Sequence, residues 1–235
     1  MSKSLSLKEA FQYPITSIPL SIANPDGHLR QSDKAAFRNY LIEEAGAMSK
    51  EVPKKSSWFI DGMAAVRTMK SKIKYEEWIE SLLRFITPPD LAEAVFLAMV
   101  NDTYHKLSAK SGTRVQRGED YQRTFVEGIG QNMPSGMQWQ EFLQNGRNKE
   151  QLIELVKGYV FKEVHLVMKP FVITAGDKIF KLLESGEEEQ EECNHEEADT
   201  RLICLALKED TDVVVVAKDT DVLVLLIWIC QIQCF

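Results

Sequence analysis

The chain's 235 residues, with 44% hydrophobic and 27% charged positions, have the proportions of one or two globular domains, which excludes disorder throughout and fibrous repeats. The longest apolar run, residues 222–230, is less than half of the roughly 20 residues a membrane-spanning helix needs. The opening residues lack the apolar core of a secretory signal, and Cys193, Cys204, Cys230 and Cys234 form no Cys-x-x-Cys pair, so an intracellular setting, nucleus or cytoplasm, with no membrane partner is expected.

The first fifty residues read as an arm punctuated by Pro14, Pro19 and Pro25 and one helix over 34–47, where Phe37, Tyr40 and Leu41 recur at helical spacing. Residues 57–63 have the apolar density of a buried strand ending in a turn at Asp61-Gly62. Helical periodicity returns over 75–86 and stops at Pro88-Pro89. A second apolar run, 94–100, ends in Asn101-Asp102. From 103 to 134 the pattern loses its apolar period and gains glycine and arginine, which suggests a long basic excursion.

Helical spacing resumes over 139–161 with a break near Gly146, followed by short strands at 171–174 and 178–183. The acidic run within 185–195 reads as a solvated loop, and 196–208 as a helix. Four consecutive valines within 212–217 mark a strand covered on both sides, and 222–230 is a last strand or helix. Strands alternating with helices predict an α/β domain over 51–235 with a mostly parallel central sheet flanked by helices. Because 222–230 would lack later chain to pack on, the domain is expected to be C-terminally truncated and prone to association.

In parallel α/β sheets ligands bind outside the carboxyl ends of the strands, so acids at strand ends converge. That rule collects Asp61, Asp102, Asp219 and Asp221, with Glu197 and Asp199 at the start of the helix before the valine strand. Helix capping alone accounts for individual acids; six together call for cationic compensation. Oxygen ligands without a His or Cys contribution favour Mg²⁺ or Mn²⁺. Two such ions about 4 Å apart suit phosphodiester cleavage. The net charge of −7 would argue against nucleic acid, but five glutamates between residues 187 and 192 account for all but −2 of it. Lys106, Lys110, Arg114, Arg117 and Arg123 form a locally basic stretch, so a polyanionic ligand remains open.

The order of these acids resembles the flap-endonuclease superfamily of structure-specific nucleases, within the PIN-like fold. Glu197-Ala198-Asp199 at a helix start, followed about twenty residues later by Asp219-Thr220-Asp221-Val222-Leu223, is similar to the internal nuclease motif of that family. The chain is also similar, over residues 11–228, to a group of metazoan PIN-like proteins that share Trp-Phe-Ile-Asp-Gly-Met-Ala, Asn-Asp-Thr-Tyr, Asn-His-Glu-Glu-Ala-Asp-Thr-Arg and Asp-Thr-Asp-Val-Leu, a likeness that brings no activity with it. The nuclease resemblance implies that Asp61, Asp102 and Glu197 bind a first metal, Asp199 lies between two, and Asp219 and Asp221 bind the second. It implies DNA or RNA as partner, with Lys110, Arg114 and Arg117 steering phosphate from an arch-like excursion. Family members add a further aspartate and a duplex-holding module on later segments, and the sequence departs from the family there. Two rivals follow. A haloacid-dehalogenase-type phosphatase, suggested by Asp219-Thr-Asp221, needs well over a hundred residues after the motif. A PIN-like module that binds nucleic acid or protein without catalysis is the stronger one.

Overall fold

The computed structural model describes residues 23–28, 30, 33–44, 53–87, 94–103, 124, 126–163 and 170–233. The chain divides into two units, Met1–Met48 and Ser49–Phe235. In the first, α1 (Lys34–Glu44) buries none of its residues. Residues 45–47 of the expected helix lie outside the described residues.

The second unit is built on one six-stranded sheet: β1 (Ser57–Asp61), β2 (Phe96–Val100), β3 (Phe171–Ala175), β4 (Lys178–Leu182), β5 (Glu188–Glu192) and β6 (Val213–Val216). Their order across the sheet is β5-β4-β3-β2-β1-β6. The pairings β6–β1, β1–β2 and β2–β3 are parallel, and β3–β4 and β4–β5 are antiparallel. The expected α/β architecture with a mostly parallel sheet is therefore present.

Period-two alternation sends side chains of the same strands to two cores. Ile60, Leu97, Met99, Phe171 and Ile173 pack on one face against α3 (Tyr75–Ile86), α4 (Met137–Phe142) and α5 (Gly146–Lys162). Trp78 and Trp139 meet edge-on there, with ring centroids 5.5 Å apart. Phe59, Ala98, Val100 and Val172 pack on the other face against Leu202 and Leu205 of α6 (Ala198–Ala206). The break expected near Gly146 is the α4–α5 junction, where the Asn145 side chain accepts from the backbone N–H of Arg147 and Asn148 at 2.9 and 3.3 Å and so starts α5.

Two expectations about the sheet need correction. The acidic run is not a loop, because Glu188–Glu192 forms β5 beside β4. Lys178 pairs with Glu192 at 3.8 Å, and Lys181 pairs with Glu191, so lysines of the neighbouring strand offset the repulsion along the run. Burdened with charge, β5 is also a poor template for edge-to-edge pairing. The valine strand is not covered on both sides: β6 is a sheet edge, and its valines are half-buried with Val216 exposed. Of the strand or helix expected over 222–230, the structure has the helix, since α7 spans Thr220–Gln233.

Packed on α6, α7 is apolar all round and leaves Val224, Ile227 and Trp228 exposed, the last at 58%. No helix of the described residues is long and apolar enough to cross a membrane. Of the basic excursion expected over 103–134, residues 104–123, with Lys110, Arg114 and Arg117, lie outside the described residues; its end is not an excursion, because Met133 is buried in the core and Val126 and Ile129 pack against it.

Candidate metal centre

Parallel strands β1, β2 and β3 succeed one another on one side, while β6 returns to the other side of β1. The chain thus reverses direction across the sheet between β1 and β6, and such a switch point opens a crevice beyond the strands' carboxyl ends. Asp61 is the last residue of β1, and Asp219 follows β6 by three positions. Three helices start at this edge, α2 (Gly62–Thr68), α6 and α7. Each directs its positive end and its unpaired N–H groups toward the carboxylates.

Asp61 caps α2, its Oδ1 accepting from the Ala64 N–H at 3.0 Å. Asp219 does the same for α7 through the Asp221 N–H at 3.1 Å. For α6 the N-cap residue is Glu197, but its side chain makes no capping bond. The capping acceptor comes instead from β2's exit: Asp102 Oδ1 accepts from the Ala198 N–H at 2.8 Å. This long-range cap ties two acids that are far apart in sequence.

Asp219 is a helix cap and Asp221 stands in the first helical turn. The two acids meet: carboxylate oxygens of Asp199, Asp219 and Asp221 all lie within 4.8 Å of one another, Asp199 half-buried and the others exposed. Three carboxylates at that separation could hold a metal ion. Oxygen donors alone suit a hard cation such as Mg²⁺ or Mn²⁺ better than Zn²⁺.

Electrostatics register the crowding. Burial pushes the Asp199 carboxyl up to about 6, reinforced by the charges of Asp219, Asp61, Asp102 and Glu197. Asp61 is also raised, first by burial and then by Asp102, against the opposing hydrogen bond from Ala64. All six acids picked out in the sequence are therefore joined by a shared oxygen cluster, a helix cap or mutual repulsion. Raised carboxyl values from burial plus like charge mark sites that take up a cation or a proton.

No protein-family model, curated protein or solved structure matches this chain.

Supporting residues that sequence patterns do not single out hold the acids in place. Arg201 of α6 is fully buried. Its guanidinium donates to the carbonyls of His195 and Asn101 and to the Thr103 hydroxyl, bracing the segments that carry Glu197 and Asp102. Asn101 is locked to β3, its Nδ2 donating to the Thr174 carbonyl at 2.9 Å and its backbone N–H to Thr174 Oγ1 at 2.6 Å.

Gly62 completes the fit. A Cβ placed there would lie 2.0 Å from Asn101 Oδ1, so the close approach of β1's exit to β2's exit requires glycine. The run Asp61-Gly62 hinted at this in the sequence. For Arg201 the available signal was only an arginine one turn into an amphipathic helix, which ordinarily means a solvated side chain.

Proposed function

We propose that this chain is a PIN-like, nuclease-type domain that uses Mg²⁺ or Mn²⁺ to cleave phosphodiester bonds of DNA or RNA. The observation that carries the reading is the Asp199–Asp219–Asp221 oxygen cluster, crowded by Asp61, Asp102 and Glu197, at the switch point of a mostly parallel sheet. Capping needs only three of these acids, and Glu197, Asp199 and Asp221 remain beyond that need. Asp61, Asp102 and Glu197 would hold a first ion, Asp219 and Asp221 a second, and Asp199 would lie between them. Metal bound there supplies charge stabilisation to the attacking and leaving oxygens of an in-line displacement. The chain's own residues fix the carboxylates: the caps set Asp61, Asp102 and Asp219, and Arg201 sets the α6 start.

A second reading is a PIN-like module that binds nucleic acid or protein without catalysis. It is favoured by the capping roles of Asp61, Asp102 and Asp219, which give three of the six acids a purpose in folding alone.

The test is Mn²⁺ binding followed by metal-dependent cleavage of labelled single-stranded, flapped and duplex DNA and RNA. Asp221→Ala should abolish cleavage, by on the order of a thousandfold or more, while nucleic-acid binding measured in EDTA stays within about twofold. Mn²⁺ binding without cleavage by the wild type selects the second reading. Cleavage unchanged in Asp221→Ala removes the mechanism.

A further inference from the structure

From the last turn of α2 to the start of α3 the sequence runs Arg67-Thr-Met-Lys-Ser-Lys-Ile-Lys74, four cations in eight residues, and no acid occurs anywhere from Gly62 to Tyr75. In a chain of net charge −7 this is a local reversal of sign. Arg67, Lys70, Lys72 and Lys74 are all exposed.

Their backbone is fixed along its length. The Met69 carbonyl accepts from Trp139 Nε1 at 3.4 Å. The Ile73 carbonyl accepts from the Met133 N–H at 2.9 Å, and the Tyr75 N–H donates to the Gln131 carbonyl at 3.2 Å. Lys74 forms an antiparallel bridge with Asn132. Cations on such a scaffold keep their spacing without an ordering cost at each binding event.

The strip is continuous with the acid cluster on two counts. The Lys218 ammonium donates to Thr68 Oγ1 at 2.8 Å, and Lys218 immediately precedes Asp219. At the same end, α2 carries Arg67 in its last turn and links the strip to Asp61, its seven residues spanning only about 10 Å. That is the axial rise of about three phosphates along one duplex strand.

We propose that Arg67, Lys70, Lys72 and Lys74, together with Lys218, bind the phosphate backbone of a nucleic acid and hold the strand beside the acid cluster. The proposal rests on the nuclease reading for the chemistry that follows, but the strip's binding stands apart from any metal. A crowded acid site repels a polyanion, so a nucleic-acid ligand needs a fixed cationic hold outside the cluster, and an acid-free stretch adjoining it at the Arg67 end provides one. Lysines predominate, and as flexible point charges they suit phosphate oxygens rather than base edges. Binding is accordingly blind to sequence and steep in salt.

The experiment is fluorescence anisotropy of a fluorescein-labelled 30-nucleotide DNA strand with the full chain in EDTA, across a salt series. The variants are K70E/K72E/K74E, K70A/K72A/K74A and K70R/K72R/K74R. Charge reversal should weaken binding by at least about tenfold, and the alanine variant should lower the slope of log affinity against log salt by about 2, while the arginine variant stays within about twofold of wild type. Melting curves accompany each variant. If the reversal variant fails to fold, the alanine variant decides.

Unchanged affinity and slope in the alanine variant would overturn the proposal, as would wild-type protein that binds an acidic polypeptide but no oligonucleotide. A parallel Mn²⁺ titration separates the two readings. Salt-dependent DNA binding through the strip with no Mn²⁺ uptake removes the metal centre and leaves the strip. Mn²⁺ uptake with strip-independent DNA binding does the reverse.

Discussion

Replacing Asp199 by Asn removes the most strongly perturbed acid of the cluster while preserving its shape. The Asp199 carboxyl is raised from 3.8 to about 6 by burial and by four neighbouring carboxylates. Because the folded state holds this proton more tightly than the unfolded chain, stability falls as pH rises from 3.8 to about 6. The penalty is complete above that window and absent below it. Its ceiling is roughly 3 kcal/mol at 1.36 kcal/mol per tenfold, and partial exposure with solvent screening brings the working figure to about 1 kcal/mol. Asp199→Asn should therefore gain about 1 kcal/mol in EDTA at pH 7.5 and nothing near pH 4, read from urea unfolding at both pH values. Added Mn²⁺ should reverse the order, stabilising the wild type more than the variant, since a ligand that binds only the folded state adds to its stability. A variant less stable than wild type at pH 7.5 in EDTA, or a gain independent of pH, would refute the crowding account.

Other substitutions test the support of the site. Gly62→Ala should destabilise by about 1–2 kcal/mol, because overpacking against Asn101 outweighs a helix-propensity gain of at most about 1 kcal/mol; thermal and urea unfolding measure it. Arg201→Met should cost about 3 kcal/mol by leaving buried carbonyl acceptors and the Thr103 hydroxyl without their donor, and Arg201→Lys should recover part of the loss in the same assay. On the opposite side, the apolar surface of Val224, Ile227 and Trp228 should drive self-association in sedimentation velocity. Replacing Val224 and Trp228 by serine should shift the protein toward monomer; a wild type that stays monomeric at high concentration counts against this.

Much of the scaffold was legible because the apolar runs at 57–61, 96–100 and 171–175 are short, dense and bounded by polar residues, which leaves few alternatives to buried strands. The positions of Asp61 and Asp102 follow directly, since each stands at or just past the end of such a run. Elsewhere the local pattern was overridden by neighbours. Charge density alone made residues 187–192 a loop, yet lysines at 178 and 181 sit across the ladder and make a strand tolerable. Four valines suggested a central strand, but position in a sheet depends on chain order, and β6 falls at the edge. Burial of Arg201 depends on two carbonyls and a hydroxyl brought from other segments, which no periodicity in α6 encodes. The cationic strip is visible in the sequence as the acid-free Arg67–Lys74 stretch, but the segment beyond β2 carries more arginine, at 114, 117 and 123, and so gives the stronger basic signal.

Capping and metal binding make opposite demands on a carboxylate, and the arrangement at this edge separates them by atom and by residue. A cap uses one oxygen to accept a backbone N–H, as Asp61, Asp102 and Asp219 do, and a carboxylate has a second oxygen beyond that use. The caps also offset part of the cost of holding negative charge together, since three helix N-termini add positive potential at one place. That compensation is incomplete, for Asp199 is still pushed to about 6. Asp199 and Asp221 are not the cap residues themselves; their first-turn positions on α6 and α7 gain from the helix dipoles, but for Asp199 that gain leaves the repulsion uncancelled. Their presence within 4.8 Å of the capping Asp219 sets a repulsion that only a proton or a cation relieves. A divalent ion does so at neutral pH, where the proton has already left, which is the physical reason to place metal at this switch point.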